Sequence, residues 1–68
     1  MSDKTKLEAY SRMLGKIYDA ETSLAEISHL AKRVDCLGLE QEAVELAHAC
    51  EFIEQELNTA YDKELSND

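Results

Sequence analysis

YSRMLGKIYDAETSLAEISHLAKRV, residues 10–34, carries apolar side chains at Tyr10, Met13, Ile17, Ala20, Leu24, Ile27, Ala31 and Val34. Their spacing alternates three and four without a break, which is the seam of an α-helix packed at a shallow angle against another helix. Leu7, Leu14, Leu30 and Leu37 widen the stripe. The pattern predicts one helix over about residues 4–36. Thr5 followed by Glu8 matches a capping box at its start, with Ser2 and Asp3 as alternative caps. Ser23 and Glu26 form a second such match, so a break near residue 21 would split the helix in two; the seam runs through that site unshifted and favours the single helix.

A second seam follows at Leu39, Ala43, Leu46, Cys50, Ile53, Leu57 and Ala60, and predicts a helix over about residues 39–65. Between the seams stands Gly38, the residue type that most readily takes the left-handed conformation after a helix C-terminus. The turn is therefore placed at residues 37–39, with Val34 and Leu39 touching across it, and Glu40 and Glu42 in the first turn of the second helix, where the helix dipole favours acids. The expected fold class is all-α, an antiparallel two-helix hairpin forming a single domain over residues 1–68. Ser66, Asn67 and Asp68 are expected to fray.

Composition agrees. The 68 residues include no proline, two glycines, nine leucines, eight alanines and ten glutamates, which excludes collagen-like, linker-like and strand-rich architectures. No apolar run exceeds two residues, whereas a membrane span needs about 20 and a signal-peptide core about 7 to 15, so neither membrane insertion nor export is expected. Cys36 at the turn and Cys50 on the seam are read as free thiols, which points to a reducing compartment, the cytoplasm.

A chain this short buries only about 60% of its unfolded surface. A first helix longer than the second would leave an apolar end around Leu7, Tyr10 and Leu14, beside Tyr61 and Leu65. These five residues are expected to form a homodimer interface that completes a four-helix bundle. Gly15, inside the first helix, reads either as a tolerated cost or as a place where another helix comes close.

The net charge of −8 is concentrated in the second helix, where eight acids from Glu40 to Glu64 meet one base, Lys63. Such a field repels phosphate backbones and attracts basic protein surfaces. Phe52, the only phenylalanine, falls well over 100° from the centre of the second seam, among Glu45, His48, Gln55, Glu56 and Thr59. An aromatic on an acidic face is a candidate interface anchor, and the acids around it would steer a basic partner toward it. Phe52, Glu45, His48, Gln55 and Glu56 are the expected protein-binding residues.

Other chemistries fit less well. Glu26 with His29 and Glu45 with His48 have the Glu-x-x-His spacing of bundle di-iron sites, yet all four point away from the seams, whereas such a site must face inward. No metal or other cofactor is expected. No glycine-rich loop or strand-to-helix elbow is present, and Cys50 with His48 is a chance neighbour pair, so no enzymatic activity is expected. Lys4, Lys6, Arg12 and Lys16 form a local basic stripe that leaves an RNA-binding regulator as a second reading, against the electrostatic handicap of the whole chain. A third is an acidic nucleic-acid mimic that sequesters a basic protein.

In length, hairpin form, dimeric bundle and acidic tail the outline is similar to that of plasmid Rop-type proteins. The resemblance is architectural, and no RNA-contacting residue carries over. The Gly38-Leu39 turn also resembles small sporulation-phosphatase hairpins, but their Ser-Gln-Glu-Leu-Asp signature has no counterpart at Ala47–Phe52. The reading that results is a small acidic regulatory or adaptor protein, of phage or mobile-element origin, that binds a protein partner through its second helix.

Overall fold

The computed structural model describes residues 4–66. Two helices of equal length, α1 (Lys4–Arg33) and α2 (Leu37–Ser66), pack against each other along a hairpin 53 Å long. The all-α hairpin expected from the two seams is the observed fold. α1 runs unbroken through residues 20–26, so the capping-box match at Ser23 is unused; the Thr22 hydroxyl donates back to the Tyr18 carbonyl at 3.1 Å within the same helix. Lys4 is already helical, which puts Thr5 inside α1 and leaves Ser2, Asp3, Asn67 and Asp68 outside the described residues.

The chain reverses at Val34, Asp35 and Cys36, three residues earlier than the glycine suggested. Asp35 takes the left-handed conformation, with φ of 57°, and neither glycine has positive φ. The Cys36 N–H donates to the Ala31 carbonyl at 2.8 Å and the Asp35 N–H to the Lys32 carbonyl at 3.2 Å, the two bonds of a Schellman motif with Asp35 in the place usually held by glycine. Aspartate is among the few residues that enter this region at tolerable cost. Lys32 and Arg33 set positive charge on the last turn of α1, where the dipole favours it. Cys36 then starts α2, its carbonyl accepting the Glu40 N–H at 3.1 Å, and Gly38 lies within the first helical turn.

Moving the turn equalises the helices and removes the overhang. Leu7, Tyr10, Leu14 and Tyr61 are half-buried between the two helices of one chain, and Leu65 is exposed. The side chains that α1 turns toward α2 fall in two heptad rows, Leu7, Leu14, Glu21, Ser28 and Tyr10, Ile17, Leu24, Ala31. α2 answers with Glu40, Ala47, Glu54, Tyr61 and Ala43, Cys50, Leu57, Glu64. Only Ala31 and Ala43, near the turn, are buried among the described residues. Small side chains there let the backbones approach, since interaxial distance follows side-chain size at the contact.

The expected seams are thus half right. Tyr10, Ile17, Leu24 and Ala31 face α2, but Met13, Ile27 and Val34 stay exposed to one side; on α2, Ala43, Cys50 and Leu57 face α1 while Leu39, Leu46 and Ile53 are exposed. Leu46 at 56% and Ile53 at 48% exposure are not core residues of the hairpin.

A Cβ added at Gly15 or Gly38 meets nothing within 4 Å. Gly15→Ala and Gly38→Ala should each raise unfolding stability by about 0.5–1 kcal/mol, because both glycines sit in helices. Asp35→Val should lower it by about 1–2 kcal/mol while Asp35→Gly does not. Urea denaturation followed by circular dichroism checks all four; a destabilising Gly38→Ala would return the turn to Gly38.

Candidate partner-binding face

Residues 45, 48, 52, 55, 56 and 59 recur at three- and four-residue intervals, so an α-helix sets them on one side, and the rows that face α1 occupy the other. Phe52 stands on this outward side at 69% exposure, and Glu45, His48, Gln55 and Glu56 are exposed with it. Phe52, Gln55 and Glu56 line one shallow groove with Thr59, Ala60 and Lys63. Glu45 borders a separate depression nearer the turn, with Leu37, Glu40, Gln41 and Val44. The expected binding residues therefore share a face but not a site: three line one depression, Glu45 lines the other, and His48 lines neither.

Sequence reasoning missed three contributors. Lys63 closes the Phe52 groove with a cation, so the groove is mixed in sign rather than uniformly acidic. Leu37 and Val44, 64% and 42% exposed, give the second depression an apolar lining. The signal for Lys63 was available, since it lies four residues after Thr59 and seven after Glu56 on the same helical side.

Glu26, His29, Glu45 and His48 are all exposed, and among the described residues no group of three or more His, Cys, Asp or Glu side chains converges as a metal site would require. Cys36 and Cys50 are unpaired. They stand fourteen residues apart along α2 and its cap, roughly 21 Å at 1.5 Å per residue, too far for a disulfide within the chain. No described helix is long and apolar enough to cross a membrane.

The other ionisable cluster lies at mid-hairpin. The Glu21 carboxyl meets Glu54 across the helix pair, with Glu51 nearby, and one Glu21 oxygen is shut off from water without a hydrogen-bond donor. Two ionised carboxylates can only accept. A proton held on Glu21 lets it donate to Glu54, and this bond, then partial desolvation, then the charges of Glu54 and Glu51 raise its pKa above the ordinary 4.5. No family model, characterised protein or solved structure matches the chain.

A carboxyl whose folded pKa is raised binds its proton more tightly in the native state. The stability it contributes is complete below the ordinary value of 4.5 and is lost as pH rises through the folded value. Glu21→Gln keeps a donor toward Glu54 at every pH. The variant should exceed the wild type in urea midpoint at pH 7, and the difference should shrink as pH falls toward 4.5. Equal midpoints at pH 7 would show that the two carboxyls do not interact.

Proposed function

We propose that this chain is a small acidic regulatory or adaptor protein, not an enzyme, that binds a protein partner through the outward face of α2. The exposed Phe52 ring carries the reading. A large aromatic surface held in water among acids favours a partner that covers it, and aromatics are the residues most enriched as binding anchors. The chain carries −8 overall and α2 bears only Lys63 as a base, so encounter with a basic protein surface is accelerated and encounter with nucleic acid opposed.

The partner's contact element is an apolar residue or short apolar stretch with a flanking base for Glu56 and an acceptor for Gln55 or Lys63. Two unpaired thiols support action in a reducing compartment such as the cytoplasm. The source of the protein is proposed to be a phage or other mobile element, whose small regulators act by binding larger proteins.

Phe52→Ala should leave helicity and unfolding midpoint within error of the wild type, because the ring makes no part of the helix seam. Pull-downs from the native host should recover a specific protein with the wild type and lose it with Phe52→Ala, a change of at least about 2 kcal/mol for an anchor residue. Glu56→Gln should slow association by less than tenfold and mainly at low salt. Equal recovery by wild type and Phe52→Ala would remove this face as the site.

A further inference from the structure

The two broad sides of the hairpin differ in chemistry. One displays Met13, Ala20, Ile27 and Val34 from α1 beside Leu39, Leu46, Ile53 and Ala60 from α2. Met13, Ile17, Ile53 and Leu57 share one groove, which places both rows on the same side. The opposite side carries Ser11, Tyr18, Ala25 and Lys32 beside Leu37, Val44, Glu51, Asn58 and Leu65, a mixed set in which polar residues interrupt the apolar ones. The apolar side holds Ile27, Leu46 and Ile53 at 46%, 56% and 48% exposure along the length of the molecule. A hairpin that ended its folding here would leave its most regular apolar seam in water.

The orientation of that seam says what covers it. Three residues at about 103° each fall about 51° short of a turn, so the row Met13 to Val34 is rotated by that angle from the row Tyr10 to Ala31. The expected seam, which joins those two rows, therefore points about 50° away from the direction of the partner helix, on both helices and toward the same side. In a square bundle of four helices, each helix is directed at the bundle centre, about 45° from the line to its neighbour. The broad side measures 53 by 15 Å between Cα atoms, a footprint comparable with the roughly 800 Å² per partner of a standard stable interface.

Charge fixes which way round the second hairpin sits. Arg12 and Lys16 border the apolar groove on the α1 edge, at the height of Ile53 and Leu57. The α2 edge carries Glu42 and Glu56, with Lys63 as its one base. A two-fold axis along the hairpin lays α1 of each copy against α2 of the other and preserves height, so Lys16 meets Glu56 of the partner subunit, twice per dimer. A two-fold axis across the hairpin would instead lay α2 on α2, seven net negative charges against seven. We propose that a second copy of this chain covers the apolar side with its turn at the same end, pairing α1 of one copy with α2 of the other through Ile27, Leu46, Ile53 and a Lys16–Glu56 contact.

The inference does not rest on the Phe52 reading: the ring itself lies outside this interface, and the two surfaces share only the edge of the Phe52 groove at Glu56 and Ala60. Sedimentation equilibrium of the full chain at ten to a hundred micromolar, about the range where a modest dimer is populated, should give twice the 7.7 kDa chain mass. Ile53→Glu should shift it to the monomer; because that variant risks unfolding, Lys16→Glu is measured beside it. Lys16→Glu should weaken association roughly three- to tenfold, and Lys16→Glu with Glu56→Lys should restore it, with helicity unchanged in both. With Cys36 and Cys50 replaced by serine, copies carrying Lys16→Cys and copies carrying Glu56→Cys should form a disulfide-linked dimer only when mixed. A monomer at a hundred micromolar would overturn the dimer. A dimer in which the mixed cysteines fail to link, or in which the double charge exchange fails to restore association, would overturn the alignment.

Discussion

The left-handed conformation at Asp35 is the constraint on which the hairpin depends. With it, the Cys36 N–H reaches back to the Ala31 carbonyl and the same residue starts α2, so the chain reverses within three residues. That reversal point sets which residues of α1 stand beside which residues of α2. Displaced three residues toward Gly38, every residue of α1 would face a position about six residues further along α2, nearly two helical turns. Ile17 would lose Leu57 and Glu21 would lose Glu54, the two cross-helix neighbours that mark the middle of the structure.

The hairpin was legible because the two seams are unbroken and proline is absent, so nothing competes with helix over either stretch. The turn was not. Glycine's freedom from Cβ makes it the strongest single signal for a left-handed residue, yet Asp35 enters that region with two backbone hydrogen bonds to hold it, and Gly38 is left as an ordinary helical residue. The division of each seam was also hidden. Apolar periodicity records every side chain that prefers to leave water and does not say which neighbour receives it, so Ile53 and Leu57 read alike although only Leu57 faces α1. Phe52 was legible for the opposite reason: a rotation of the seam by about 50° still leaves it on the outer side.

The surface between the helices is polar for a two-helix protein. Glu40, Glu54 and Glu64 on α2 and Glu21 and Ser28 on α1 occupy the rows that face the other helix, and the buried residues among those described are two alanines. The Glu21–Glu54 layer is a polar interruption of the surface between the helices whose cost grows as pH rises, because two ionised carboxylates can only accept.

Consecutive residues on α2 serve different surfaces, because a helix turns about 100° from one residue to the next. Phe52 projects outward and Ile53 toward the apolar side of the hairpin, both substantially exposed in the single chain. Their substitution separates two questions that a larger protein would entangle, since the two side chains stand on different surfaces of α2. A second copy on the apolar side, related by an axis along the hairpin, would leave Phe52 uncovered and carry the two Phe52 rings to opposite flanks of the bundle. One compact partner domain could not then reach both rings. The complex would contain two partners per dimer, or one partner with two separated contact segments, and its stoichiometry would report on assembly as directly as the mass of the free protein does.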